Sequence, residues 1–220
     1  SKGIILVLVS MALFSFQDAL IKFVFEKAAL YEIYFGRTFI ASVILGTYLF
    51  IKKQKIKFKT EYPFLTAIRV LLHFFAFSFF FISLTYMSLA MANALFFSSP
   101  FFISIFAKFF LNEQIGIRRW SAIFLGFIGI FIVLNPDFSE FEYKNLLPVL
   151  CAFFYAISMT ITKITSDKDN LYTQLFYFYT LAIGLCLIIF IFFGSGEFNK
   201  YNDPTMQFIF REWFTNVDYA

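Results

Sequence analysis

Asp18, Lys22, Arg37, Arg69 and His73 each stand inside a long apolar run of this 220-residue sequence, as do Asn93, Ser98 and Ser99. A charge at the centre of a membrane helix costs roughly 2.5–3.5 kcal/mol on insertion scales, so each needs a partner or a task. Asp18 and Lys22 are spaced i, i+4 with the acid first, the favourable order for an intrahelical pair. At a rise of about 1.5 Å per residue, Asp18 and Arg37 fall at a similar depth, about 10 Å from the same end of two successive runs. Such a layer is either a structural triad that satisfies itself or the polar wall of a cavity. In the second case Asp18 suits a cationic group or a proton, and Arg37 a carboxylate.

Arg69 and His73 lie one turn apart on a third run. Arg69 is about 8 Å from the end of its run, so it either snorkels to the interface or joins the polar wall. His73 is deeper. It either serves a proton-coupled step or is a hydrogen-bonded packing residue. Asn93, Ser98 and Ser99 precede Pro100, whose missing amide hydrogen frees carbonyls for the serines or a ligand; the alternative is a plain kink. Lys108 and Glu113 read as anchors of the inner end rather than contacts to cargo.

The elements that must hold these side chains follow from composition. Residues of the AVILMFWYC set make up 60% of the chain and charged residues 15%, with 38 phenylalanines. Soluble domains have roughly 45–50% apolar and about 25% charged residues. One core cannot hide such an excess, so lipid surrounds most of the protein. Disorder, a collagenous fibre and a disulfide-rich scaffold are excluded by the same numbers. The net charge of +4 reflects loop lysines and arginines rather than nucleic-acid binding. Cys151 and Cys186 sit in apolar runs without metal spacing and read as packing residues. With a single histidine, zinc catalysis and His-dependent triads lack parts, and no cofactor is implied.

Seven stretches are long enough to span a bilayer as helices: Ile4–Phe25, Leu30–Ile51, Phe64–Leu84, Leu89–Leu111, Ile117–Leu134, Lys144–Ile164 and Tyr172–Phe193. The fold class is all-α, a polytopic membrane helix bundle. The first stretch carries Asp18 and Lys22 and lacks a cleavage site, which opposes a signal peptide. A cytoplasmic N-terminus puts nine basic residues inside, including Lys52, Lys53, Lys55, Lys57 and Lys59, and four outside. Ala122, Gly126 and Gly129 in the fifth stretch read as helix-packing residues. Asp167 and Asp169 read as part of a solvated turn. The polar segment 194–220 is too short to span and is expected to lie along the outer interface, with Trp213 at headgroup depth.

Sliding the sequence by 141 residues aligns Lys22 with Lys163, Leu30 with Leu171, Tyr31 with Tyr172 and Phe35 with Phe176. A repeat of five crossing helices is necessarily inverted, as in many secondary transporters. Residues 1–136 form the first repeat. Residues 137–220 form an incomplete second one, with two spans and an interfacial tail, so the last three helices of a five-plus-five arrangement are expected to be missing.

One stretch, Ser83 to Pro136, carries a family pattern: Leu84-Thr85-Tyr86, Ala90 to Ala94, Ser99-Pro100, Leu111-Asn112-Glu113, Arg119-Trp120, Gly126, Gly129 and Asn135-Pro136. It resembles the EamA-type proteins of the drug/metabolite transporter superfamily. The resemblance implies gradient-driven movement or exchange of small metabolites. The set Asp18, Lys22, Arg37 and Arg69 further resembles the S-adenosylmethionine uptake branch, although Met159 stands at the position matching Asp18.

The expected function is secondary-active transport of a small polar or zwitterionic metabolite across the inner membrane by alternating access, with Asp18, Lys22, Arg37, Arg69, His73, Asn93, Ser98 and Ser99 as substrate-binding residues. The expected partners are that metabolite and membrane lipid, with room for a homodimer and none for nucleic acid. Seven spans also suit a receptor or sensor, but the last span lacks the lysine a retinal protein needs. An integral-membrane enzyme is the third reading, although HExxH and GxSxG are absent from the sequence.

Overall fold

The computed structural model describes residues 2–24, 28–53, 59–134, 143–196 and 203–213. Every regular element among them is helical: α1 (Lys2–Val24), α2 (Leu30–Lys52), α3 (Pro63–Ser83), α4 (Leu89–Phe96), α5 (Ser99–Leu111), α6 (Ile117–Leu134), α7 (Leu147–Thr165), α8 (Leu171–Phe193) and α9 (Pro204–Phe210). Helices therefore occupy all seven apolar stretches. Five segments among the described residues are long and apolar enough to cross a bilayer: Leu30–Lys52, Pro63–Ser83, Leu89–Leu111, Tyr143–Thr165 and Leu171–Phe193. In α1 the apolar helical stretch is the shorter Leu8–Ile21. This is an integral membrane protein. Apolar side chains point outward along these helices, among them Phe50, Phe64, Phe109 and Ile191, as lipid allows and water does not.

Local chemistry sets the helix ends. Pro63 begins α3, where its missing amide hydrogen costs nothing. Ser88 caps α4, its hydroxyl oxygen accepting the Met91 amide at 3.2 Å. The fourth apolar stretch breaks between α4 and α5. Pro100 has no amide to offer Phe96 and crowds its carbonyl, and the chain turns at Phe97 and Ser98. The Ser98 hydroxyl bonds the Leu95 carbonyl at 2.7 Å, so a serine does satisfy backbone at the break. Asn112 ends α5 in the left-handed conformation, φ 52°, and the following Glu113 amide returns to the Ala107 carbonyl. A single 3-10 turn, Tyr143–Leu146, leads into α7. Asn170 caps α8 through the Thr173 amide at 2.8 Å.

Two compact units can be distinguished, residues 1–34 with 188–220, and residues 35–187. Within the first, the Phe193 ring packs tilted against Phe210, and Phe190 against Trp213. Trp213, expected at headgroup depth, is only 4% exposed. Within the second, α7 is the centre and packs against α3, α4 and α5. Small residues make this close packing workable: Ala152 and Ala156 of α7, Ala76 of α3, Ala92 of α4 and Ala107 of α5 are all buried. Cys151 and Cys186 are buried free thiols, as packing residues should be.

The small residues of α6 behave otherwise. Ala122, Gly126 and Gly129 are exposed, and a Cβ added at either glycine meets nothing within 4 Å. α6 turns Trp120, Ile123 and Phe127 inward instead, with Trp120 edge-on to Phe101 of α5. The packing role expected for Ala122, Gly126 and Gly129 is thus not realised among the described residues, because the bulky stripe of α6 makes its contact.

Candidate functional site

Arg69 is the seventh residue of α3 and is 4% exposed. It does not snorkel. Its Nη1 donates to Gln174 Oε1 and its Nη2 to the Gln174 carbonyl, both at 2.8 Å. Two acceptors on one residue of α8 therefore hold both arms of the guanidinium fork, the geometry that favours arginine over lysine. The guanidinium carbon lies 5.7 Å from the centre of the Phe178 ring, one helical turn further along α8. On the α7 side, the Ser158 hydroxyl donates to the Arg69 carbonyl at 3.2 Å. Arg69 Nε is buried without a hydrogen-bond partner.

His73, one turn along α3, meets the Phe178 ring edge-on with centroids 5.0 Å apart and lies 6.1 Å from the Tyr155 ring of α7. Tyr155 in turn meets Phe96 at the end of α4. Nδ1 of His73 is buried with no hydrogen-bond partner. Two unsatisfied buried donors or acceptors, Arg69 Nε and His73 Nδ1, thus stand one turn apart beside aromatic rings. Unmet polar atoms in a packed helix bundle are uncommon and mark places where a polar ligand or water can bind. Ser104 Oγ on α5 is a third such atom.

The other expected site residues lie on α1, α2, α4 and α5 and at the break between the last two. Arg37 of α2 places its guanidinium carbon 4.9 Å from the Phe77 ring centre of α3. Ser98 and Ser99 are buried at the α4–α5 break, and Asn93 is half-buried on α4. Asp18 is half-buried on α1, in the other compact unit from Arg37. The neighbouring Gln17 has a buried side-chain nitrogen without a hydrogen-bond partner. Lys22 belongs to α1, and its side chain lies outside the described residues.

At the ends of the helices, Glu113 pairs with Lys163 and, at 3.8 Å, with Arg119, whereas Lys108 is exposed. Glu113 thus anchors an end, as expected, and its partners are Lys163 of α7 and Arg119 of α6. The Asp167–Asp169 turn is not simply solvated. Asp167 is exposed and accepts the Tyr62 hydroxyl at 3.2 Å, but Asp169 is 2% exposed and accepts the Thr60 hydroxyl and the Glu61 amide. Sequence reading missed Gln174, Asp169, Thr60 and Ser158. Gln174 gave one signal, an amide within an apolar run. The rest depend on contacts between segments about a hundred residues apart, which no local pattern carries.

Residues 1–135 match the EamA-like transporter family. Over 170 residues the chain is 34% identical to an S-adenosylmethionine uptake transporter of Rickettsia felis, covering 77% of this chain and 58% of that protein. It is 36% identical over 96 residues to a riboflavin transporter of Vibrio cholerae, 44% of this chain and 32% of that one. Similarity to the pseudopaline exporter of Pseudomonas aeruginosa is 22% identity over 212 residues, 96% of this chain and 70% of that one. The chain spans less than two thirds of the length of the uptake transporters it matches. No solved structure matches it. A helical membrane bundle with buried polar atoms among its packed helices agrees with that family match, and this chain belongs to the EamA-like transporter family, whose members are transporters and not enzymes.

Proposed function

We propose that this protein is the seven-crossing part of a secondary-active carrier that moves a small zwitterionic metabolite of the S-adenosylmethionine or amino-acid kind by alternating access. Residues 1–136 supply the first inverted repeat, and residues 137–220 begin the second. The carrying observation is the buried pair Arg69 and His73, each with an unsatisfied nitrogen, set among the rings of Phe178, Tyr155 and Phe96. An arginine nitrogen suits a carboxylate and the rings suit a flat heterocycle or a cation, and S-adenosylmethionine carries all three groups. Asp18, Lys22, Arg37, Asn93, Ser98 and Ser99 complete the proposed cargo path.

The orientation in this reading has the N-terminus in the cytoplasm of a cell with an inner membrane. Nine basic loop residues inside against four outside support it. Contacts between connections also support a crossing by α6 beside the five longer apolar spans. Thr60 bonds Asp169 and Glu113 pairs with Lys163, all at ends the crossing count puts inside, whereas Lys144 lies over the Tyr86 ring at ends it puts outside.

The test is labelled S-adenosylmethionine binding to the purified chain and uptake into proteoliposomes, with riboflavin and neutral amino acids as competitors. Saturable binding that weakens about tenfold or more in Arg37→Gln and Asp18→Asn is expected, the scale of one lost charge-assisted bond. Unchanged binding and uptake in both variants removes these residues from the path. No saturable binding of any of the three compounds overturns the reading.

A further inference from the structure

Alternating access needs a contact at the cytoplasmic end that holds the passage shut and breaks in each cycle, so a latch there has meaning only if the carrier reading above holds. Asp169 is the buried carboxylate at that end. It stands in the α7–α8 turn, and its hydrogen-bond donors come from the α2–α3 connection: the Thr60 hydroxyl to Oδ2 and the Glu61 amide to Oδ1 at 3.2 Å. The Thr60 oxygen is itself fixed by the Tyr62 amide at 3.1 Å. Tyr62 also reaches Asp167 through its hydroxyl and lies under Lys168, whose Nζ is 5.3 Å from the ring centre. The two connections belong to different repeats in the proposed arrangement.

The same turn reaches inward. The Asp169 carbonyl accepts Gln174 Nε2 at 3.1 Å, and Gln174 holds both arms of Arg69. A continuous chain of hydrogen bonds therefore runs from the inner surface to the buried guanidinium. Its outermost link is made by neutral donors on a carboxylate. Such bonds are strong enough to bias a two-state equilibrium and weak enough to break in a working cycle.

We propose that Asp169 is the cytoplasmic latch of this carrier, closed on Thr60 and Glu61 in this structure, and that its release is transmitted through Gln174 to Arg69. Opening moves the α7–α8 turn from the α2–α3 connection and admits the cytoplasm to the Ser158–Arg69 layer beneath.

Ser158 is 1% exposed and supplies a reporter position. In the full chain, Cys151→Ser and Cys186→Ser remove the native thiols and Ser158→Cys adds one. The rate of N-ethylmaleimide labelling is read in inside-out membrane vesicles. Asp169→Ala should accelerate labelling about tenfold, the equilibrium shift expected from losing bonds to a buried charge, and Thr60→Val, which at nearly constant volume removes one of the two bonds to Asp169 together with the acceptor of the Tyr62 amide, about threefold. Labelling at the parent rate in Thr60→Val and Asp169→Ala overturns the latch. So does a lowered melting temperature with unchanged labelling, which makes Asp169 only a support of the fold. If Asp169→Ala does not insert, Thr60→Val decides. Labelling needs no cargo, so parent-rate labelling beside intact uptake rejects the latch alone. Accelerated labelling with no binding of any tested compound rejects the carrier reading instead.

Discussion

α7 turns Cys151, Ala152, Ala156, Ser158 and Thr160 inward, all buried, with Ala152 and Ala156 at 0% exposure. α6, of nearly the same length, turns Trp120, Ile123 and Phe127 inward and leaves Ala122, Gly126 and Gly129 facing out. In water the hydrophobic residue marks the packed face of a helix. In lipid it does not, because hydrocarbon surrounds the helix on every side and close approach of backbones is what packing gains. Small residues are thus a necessary part of a tight seam but not a sufficient sign of one. What distinguishes α7 is that its small residues are buried together with Ser158 and Thr160, whose hydroxyls bond backbone carbonyls and need no water.

The largest break in this comparison should come from Ala156→Leu. The residue is fully buried at the centre of the second unit, and overpacking there is expected to cost about 3 kcal/mol. The check is a thermal or SDS-titration unfolding curve of the purified chain in detergent. An unchanged midpoint would mean that α7 is not the centre of the bundle. Next is Trp120→Ala on α6, which loses the edge-on contact with Phe101 and should cost about 1.5 kcal/mol in the same assay. A cost equal to that of Ala156→Leu would show α6 to be as tightly packed as α7. Ser158→Ala follows, removing one hydroxyl bond to the Arg69 carbonyl, and should cost about 0.6 kcal/mol, the average for interhelical bonds in a membrane protein.

The same contrast shows what sequence can and cannot say here. The helices were legible, since 38 phenylalanines and long apolar runs permit little else, and the break before Pro100 follows from a missing amide hydrogen. The intramembrane charges were legible as unusual, but not their partners. In sequence Arg69 is equally compatible with snorkelling, because Gln174, which holds both arms of its fork, stands 105 positions away. Asp169 read as a solvated turn because its burial depends on a connection 109 residues earlier. The small residues of α6 suggest a seam in sequence because composition records size and not which face a neighbour occupies.

Gly126→Ala and Gly129→Ala carry the smallest expected effect and the sharpest logic. An added methyl at either position meets open space, so no clash opposes it, and alanine loses less backbone freedom than glycine on entering a helix. The expected outcome is a midpoint unchanged or raised by up to about 0.5 kcal/mol, measured in the same detergent as Ala156→Leu. The sign is what matters. Because α6 is held through Trp120 and its stripe, a stabilising or silent methyl fits a helix whose small face looks at lipid. A methyl that destabilises by about 1 kcal/mol or more would mean that another backbone approaches Gly126 closely in the assembled protein. A dilution series would then tell whether that backbone belongs to a second copy, since only in that case does the loss fade as the protein is concentrated.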